Sequence, residues 1–229
     1  MINTVIFDLD GVLQDWGSSV ALAIKDILPE VSWESRFGVD RKLQDAIAAV
    51  HFTRRGDQIV DRRYWAMFKD AGPAWRKAMP QAEAEGSALS KRFLELLDVT
   101  LYPDAEPALT SLREAYGLGV ITRNPLAGDI VRRAGITQLI EKTVSVKDAG
   151  GSPGKRDFER LLKDLKAEAK EAAYVGANQA GGFDGAREAG LRLIWVDRYS
   201  YVGGPEITPP QGAVTVRSLA ELPEALAGL

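Results

Sequence analysis

The chain carries the stretch INTVIFDLDG at residues 2–11, an apolar, β-branched run that ends at two carboxylates. This pattern predicts a buried β-strand over residues 2–8, with Asp8, Asp10 and Gly11 at its end. Residues two apart in an extended chain point the same way, so both carboxylates can face one site. One can attack as a nucleophile, while the other donates a proton to a leaving group and recovers it. The alternative is that Asp-x-Asp-Gly only turns the chain.

Beyond residue 100 the sequence alternates between helical and strand-like segments. Further strands are predicted at 118–122, 142–146, 173–176, 192–197 and 213–216, and helices at 105–116, 127–134, 155–167, 183–189 and 218–227. This alternation predicts an α/β fold, with a Rossmann-like core built on a buried parallel sheet. In open sheets of this kind, sites form beyond the carboxyl ends of the strands.

The segment between the first strand and residue 98 follows a helical pattern instead. Its candidate helices cover 17–28, 40–51, 57–70 and 83–97, with turn-forming residues between them. An all-helical segment here interrupts the sheet after its first strand. We therefore expect a core at 1–14 and 98–229 and a small all-helical inserted domain at 15–97.

Composition narrows the possible chemistry. A net charge of −3 argues against nucleic-acid binding driven by bulk charge. The absence of cysteine excludes disulfides, cysteine-ligated metals and a thiol nucleophile, and the single histidine, His51, gives little support to a multi-histidine metal site. The chain lacks both a leader pattern and a run of 18 apolar residues, so we expect a cytoplasmic protein without a membrane partner.

Two stretches resemble motifs of the haloacid dehalogenase (HAD) superfamily, which is dominated by phosphatases that form an aspartyl-phosphate. VIFDLDGVLQD at 5–15 resembles the first motif, and LYPDAEPALTSLREAYGLGVITRN at 101–124 resembles the stretch leading into the second. The helical insert resembles the C1-type cap of subfamily I. The resemblance implies that Asp8 is the nucleophile and a metal ligand, and that Asp10 is the general acid/base. It also implies that Thr122 binds the phosphoryl oxygens.

The resemblance extends to a cofactor and to substrate contacts. Mg²⁺ is the implied cofactor, held by Asp8 and by the main-chain carbonyl of Asp10. A divalent cation would offset the repulsion between the two carboxylates and a phosphate dianion. The substrate contacts are expected from Gly11, Arg123, Asn124 and Asn178.

The third and fourth motifs depart from the family pattern. In GGSPGKRDFERLL at 150–162, Ser152 stands where the family has its lysine, and Lys155 is a candidate for a displaced one. In YVGANQAGGFDGAREAGLRLIWV at 174–196, Ala177 and Gly182 occupy the two acid positions. The site therefore lacks two carboxylates, and we expect it to hold Mg²⁺ weakly.

Three functional hypotheses follow. The first is a Mg²⁺-assisted phosphatase of small phosphomonoesters. The second is a catalytically inactive relative that binds a phosphorylated ligand or a protein partner. The third is a metal-independent, dehalogenase-like hydrolase. The expected ligand is a small phosphorylated or otherwise anionic molecule, and the oligomeric state is left open.

Overall fold

A computed structural model describes residues 1–15, 99–124, 127–146, 152–177, 182–198 and 208–229, together with two short paired strands at 54–55 and 58–59. The chain divides into two compact units, Met1–Asp15 with Thr100–Leu229, and Trp16–Val99. The expected domain boundaries at residues 14 and 98 lie close to these divisions. The helical character expected for 15–97 falls mostly on residues outside the described ones.

The first unit is built on a six-stranded parallel sheet. The strands in chain order are β1 (Thr4–Phe7), β2 (Arg54–Arg55), β3 (Gln58–Ile59), β4 (Gly117–Thr122), β5 (Lys142–Ser145), β6 (Ala172–Gly176), β7 (Arg192–Val196) and β8 (Ala213–Val216). All except β2 and β3 belong to this sheet, in the order β5-β4-β1-β6-β7-β8. The α/β, Rossmann-like fold is thus confirmed.

The strand order explains where a site can form. From the central strand β1 the chain moves outward first through β4 and β5, and then in the other direction through β6, β7 and β8. Such a reversal opens a crevice at the carboxyl ends of the strands on either side of it. Here those ends are Phe7, Thr122 and Gly176.

Helices flank this sheet. In the described residues they are α1 (Ala105–Leu112), α2 (Ala127–Arg133), α3 (Lys155–Leu165), α4 (Phe183–Ala189) and α5 (Leu222–Ala227), with single 3₁₀ turns at Ala169–Glu171 and Leu219–Glu221. None of these helices combines the length and the apolar character needed to cross a bilayer.

The short antiparallel pair of β2 and β3 corrects one sequence prediction. We expected a helix over 57–70, but Gln58–Ile59 pairs with Arg54–Arg55 as a strand. Only two residues, Gly56 and Asp57, separate the strands, and a Gly-x pair is typical of tight hairpin connections. The sequence predicts a turn at Gly56, but the apolar spacing further along the segment led to a helix being predicted from residue 57.

An aromatic group fills the core between the sheet and the helices α3 and α4. Tyr174 of β6 makes edge-to-face contacts with Phe158 and Phe183, at centroid distances of 5.1 and 5.3 Å. Gly185 lets α4 pack directly on the chain before α3, since a Cβ there would collide with the carbonyl oxygen of Pro153. This packing fixes the third-motif segment beside the fourth.

Asp104, just before α1, joins distant parts of the first unit. Its carboxylate accepts two hydrogen bonds from Arg198 at 2.9 Å, one from the Ser218 hydroxyl at 2.8 Å and one from the Leu219 N–H at 2.9 Å. Arg198 also donates to the carbonyl of Val12 at 2.9 Å. We call these contacts the Asp104 network. They tie the turn after β1 to the carboxyl-terminal part of the chain.

Candidate active site

Asp8 and Asp10 lie at the end of β1, on a tight turn. The N–H of Asp8 donates to the carbonyl of Val175 in β6 at 2.9 Å, which extends the strand pairing by one residue. Gly11 has a φ of 81°, in the left-handed region that favours glycine. The turn is closed by a hydrogen bond from the N–H of Gly11 to the carbonyl of Gln14 at 2.9 Å. Both aspartates therefore have a fixed backbone.

Both carboxyls have a raised pKa. Both residues are partly accessible to solvent, yet protein atoms surround their carboxyl groups. Burial raises the pKa of Asp8 to about 6. Burial, together with the negative charge of Asp8, raises the pKa of Asp10 to about 7. Two acids whose pKa values differ in this order can divide the roles of nucleophile and proton donor.

The end of β4 supplies one hydrogen-bond partner for each carboxyl. Thr122 is buried, and its hydrogen bond to Asp8 lowers the pKa of that carboxyl against the effect of burial. Asn124 is also buried, and its Nδ2 donates to both carboxylate oxygens of Asp10 at 3.1 Å each. The structure therefore brings Asp8, Asp10, Thr122 and Asn124 together, and the roles assigned to them from the sequence stay predictions.

Arg123 adds a positive charge to this group. Its side chain is partly exposed, and its charge lowers the pKa of both Asp8 and Asp10 against the effect of burial. A cation close to two carboxyls favours the arrival of an anionic substrate. The expected substrate contacts of Gly11 and Arg123 stay predictions, since no substrate is present.

The third-motif residues lie at the start of α3. Ser152, at the family's lysine position, is exposed, and the next residue, Pro153, is buried. Lys155 begins α3 with about half of its side chain exposed, and its Nζ pairs with a Glu159 carboxylate oxygen at 3.7 Å. The charged groups that shift the pKa of the two aspartates do not include Lys155. Its catalytic role stays a prediction.

The two positions at which the resemblance implies acids, Ala177 and Gly182, are both buried. Ala177 is buried, and its carbonyl accepts a hydrogen bond from the indole N–H of Trp195 at 2.9 Å. A Cβ at Gly182 would lie 2.9 Å from Cζ of Phe158 and 3.2 Å from the hydroxyl of Tyr174. The side chains of Phe158 and Tyr174 thus fill the space that a side chain at position 182 would need. Asn178 lies outside the described residues.

Tyr174 is a feature of the site that the sequence did not reveal. Its hydroxyl accepts a hydrogen bond from the N–H of Gly182 at 3.1 Å, and its side chain is fully buried. Burial and the negative charge of Asp8 raise the pKa of Tyr174 well above its ordinary value. An aromatic residue inside an apolar strand gives no sequence signal for such a contact.

Few side chains that could bind a metal ion converge in the described part of the chain. Within the described ranges, no group of three or more His, Cys, Asp or Glu side chains comes together. Asp8 and Asp10 supply two carboxyls, and Mg²⁺ is commonly bound through one or two carboxylates plus substrate phosphates. Their mutual repulsion is what a cation would relieve. Two carboxyls are enough to hold Mg²⁺ when a substrate phosphate supplies further oxygen ligands.

Comparisons with known proteins agree with this geometry. Residues 2–190 match the family model of haloacid dehalogenase-like hydrolases. A phosphoserine phosphatase of Thermus thermophilus is 30% identical over 152 residues, which span 61% of this chain and 61% of that relative. A glyceraldehyde 3-phosphate phosphatase of Pyrococcus abyssi is 26% identical over 207 residues, covering 85% of this chain and 81% of that one.

Solved structures are similar over the whole chain. A 2-haloacid dehalogenase from Pseudomonas syringae is 27% identical with a TM-score of 0.65, covering 100% of this chain and 99% of that chain. The HAD-hydrolase YfnB from Bacillus subtilis, solved bound to magnesium, has a TM-score of 0.74 at 19% identity, covering 99% of both chains, and shares the fold. With the family model matching most of its length, the chain belongs to the haloacid dehalogenase-like hydrolases.

Proposed function

We propose that this hydrolase is a phosphatase that cleaves small phosphomonoesters through an aspartyl-phosphate on Asp8. The observation that carries the proposal is the pair of neighbouring carboxyls at the end of β1, with Thr122 bonded to Asp8 and Asn124 bonded to Asp10. Burial raises the pKa of both carboxyls, and the negative charge of Asp8 raises that of Asp10 further, which supports Asp10 as the proton donor. Both sequence relatives described above are phosphatases, which supports the same reaction class.

In the first step a carboxylate oxygen of Asp8 attacks phosphorus. The bond between phosphorus and the ester oxygen breaks, and Asp10 gives its proton to that oxygen as the alcohol leaves. Thr122 is positioned to bind a phosphoryl oxygen, because its hydroxyl already contacts the carboxyl that attacks. The positive charge of Arg123 opposes the negative charge that accumulates around both aspartates.

In the second step water hydrolyses the aspartyl-phosphate. Asp10, now ionised, takes a proton from the water while the water oxygen attacks phosphorus. The bond between phosphorus and the Asp8 oxygen breaks, which releases inorganic phosphate and regenerates both carboxyls. The same residue thus acts first as acid and then as base, so its orientation has to suit both steps.

Mg²⁺ is part of the proposal. The Asp8 carboxylate and the main-chain carbonyl of Asp10 would hold it, with the substrate phosphate completing the set. When bound, the cation would neutralise charge on the phosphoryl group. Because Ala177 and Gly182 supply no carboxylates, we expect weak binding of the metal. Lys155 remains a candidate for a further positive group on the substrate side.

The test is hydrolysis of 4-nitrophenyl phosphate by the purified chain, with excess Mg²⁺ or with chelator, beside D8N. We expect Mg²⁺-dependent turnover that D8N abolishes and that D10N lowers about 10²-fold or more. D129N is the matched control, since Asp129 is an exposed carboxylate of α2 paired with Arg132. Absence of turnover above the D8N background would refute the proposal.

A dehalogenase-like reaction is the second candidate. The 2-haloacid dehalogenase from Pseudomonas syringae is 27% identical over the whole of this chain, and a displacement at carbon would also use a carboxylate nucleophile. In that case Asp8 would displace halide from a 2-haloalkanoate, and water would hydrolyse the resulting ester. Halide release in the presence of chelator, lost in D8N, would favour this function over the phosphatase.

A further inference from the structure

The amide of Asn124 is directed at a carboxyl group of the site. Its Nδ2 lies 3.1 Å from Oδ1 and 3.1 Å from Oδ2 of Asp10, so it donates to both oxygens from one side. These two contacts with a buried amide hold the carboxyl group of Asp10 in place beside the end of β4. The two residues are 114 positions apart in the sequence and come from different strands.

Asn124 is itself held firmly. It is 4% exposed, and its main-chain N–H donates to Oγ1 of Thr122 at 3.2 Å. Its carbonyl accepts a hydrogen bond from the hydroxyl of Ser145, at the end of the neighbouring strand β5, at 2.9 Å. Both contacts are to main-chain atoms, so they fix the backbone of Asn124 and with it the position from which its side chain reaches Asp10.

We propose that Asn124 is a positioning residue for Asp10, with Ser145 as its anchor. This goes beyond the sequence expectation that Asn124 contacts the substrate, and it rests on the proposed phosphatase function. Asp10 has to meet the leaving oxygen in the first step and the attacking water in the second. Small misalignment of a proton donor is costly, because proton transfer needs hydrogen-bond distance and direction.

The arrangement is complementary along two adjacent strands. Thr122 and Asn124, two residues apart at the end of β4, contact Asp8 and Asp10, two residues apart at the end of β1. The register between these parallel strands, with Phe7 opposite Val120, makes this pairing possible. One strand end thus carries the reacting groups and the next carries their supports.

The dependence on leaving group tests the proposal. A departing phenol with a poor leaving oxygen needs a proton from Asp10, whereas 2,4-dinitrophenolate leaves without one. We would measure kcat/KM, which reports aspartyl-phosphate formation, for phenyl phosphate and 2,4-dinitrophenyl phosphate in the wild type, N124A, N124S and S145A. For N124A we expect a loss of about 10- to 100-fold with phenyl phosphate and of less than about threefold with 2,4-dinitrophenyl phosphate.

The other variants keep the outcome interpretable. S145A should show the same selectivity with a smaller loss. N124S should show the selectivity expected of N124A, and it replaces N124A in the test if the alanine variant folds poorly. N3A is the matched control, because Asn3 donates to a Glu171 carboxylate oxygen at 2.9 Å, at the opposite end of β1. An equal loss on both esters in a folded N124 variant would overturn the positioning role alone. An inactive wild type would instead overturn the phosphatase function on which it rests.

Discussion

Replacing Asp10 by asparagine should stabilise the fold at alkaline pH while it removes the proton donor. The pKa of Asp10 is raised from 3.8 to about 7, so the folded state binds this proton more tightly than the unfolded chain. Stability from such a group is fully present below the unfolded pKa and is lost as pH rises through the folded one. The loss therefore develops between about pH 4 and pH 7.

The magnitude follows from this difference in pKa. About 3 units at 1.36 kcal/mol each give an upper limit of about 4 kcal/mol, and partial solvent access reduces this to roughly 3 kcal/mol. The asparagine variant also loses one of the two contacts with Asn124, at a cost of about 1 kcal/mol. D10N should therefore gain about 2 kcal/mol at pH 8 and little or nothing at pH 4.5.

Urea unfolding followed by circular dichroism, in the presence of chelator, measures this difference. We would compare the wild type, D10N and D129N at pH 4.5, 6 and 8. Asp129 is exposed and paired with Arg132, so D129N should stay within about 0.5 kcal/mol of the wild type throughout. A D10N advantage that fails to grow between pH 4.5 and pH 8 would refute the electrostatic account of the site.

Three further predictions concern packing and the metal. G182A should lower the free energy of unfolding in urea by about 1–3 kcal/mol, because its Cβ meets the aromatic core. G128A, in a helix with open space around the new Cβ, should raise that free energy by up to about 1 kcal/mol. Equal effects of the two substitutions would contradict the steric argument. D104A should cost about 3 kcal/mol by breaking the Asp104 network, against less than about 0.5 kcal/mol for the exposed E106A. A177D should lower the Mg²⁺ concentration for half-maximal turnover about tenfold, and an unchanged Mg²⁺ titration would show that position 177 does not face the metal.

The sheet of the core and the positions of Asp8 and Thr122 could be predicted from the sequence, because each depends on a pattern within a short stretch of the chain. The apolar run before Asp8 and the spacing of strands and helices beyond residue 100 predict the sheet, and the strand ends locate Thr122 beside it. The helix predicted over 57–70 was wrong at Gln58–Ile59, which pairs with Arg54–Arg55 as a strand.

The rest of the site depends on contacts between distant parts of the chain. The hydrogen bonds of Asn124 with Asp10 span 114 positions, and those of Arg198 with Asp104 span 94. No local pattern distinguishes an asparagine that contacts a substrate from one that orients a carboxyl. The pairing of Lys155 with Glu159 is of the opposite kind, since the two residues lie four positions apart on one helix.

The fourth motif shows how packing can take over a position that carries charge elsewhere in the family. At Gly176 and Gly182 a Cβ would lie within 2.8 and 2.9 Å, respectively, of the aromatic core, so both positions serve close contact. The hydroxyl of Tyr174 uses the N–H of Gly182. An acidic side chain at 182 would have to displace buried rings. The carboxyl chemistry is therefore concentrated at the ends of β1 and β4, where Asn124 and Arg123 offset the repulsion between the aspartates. The proposed reaction therefore depends on the orientation of Asp10, which makes Asn124 the informative residue to change.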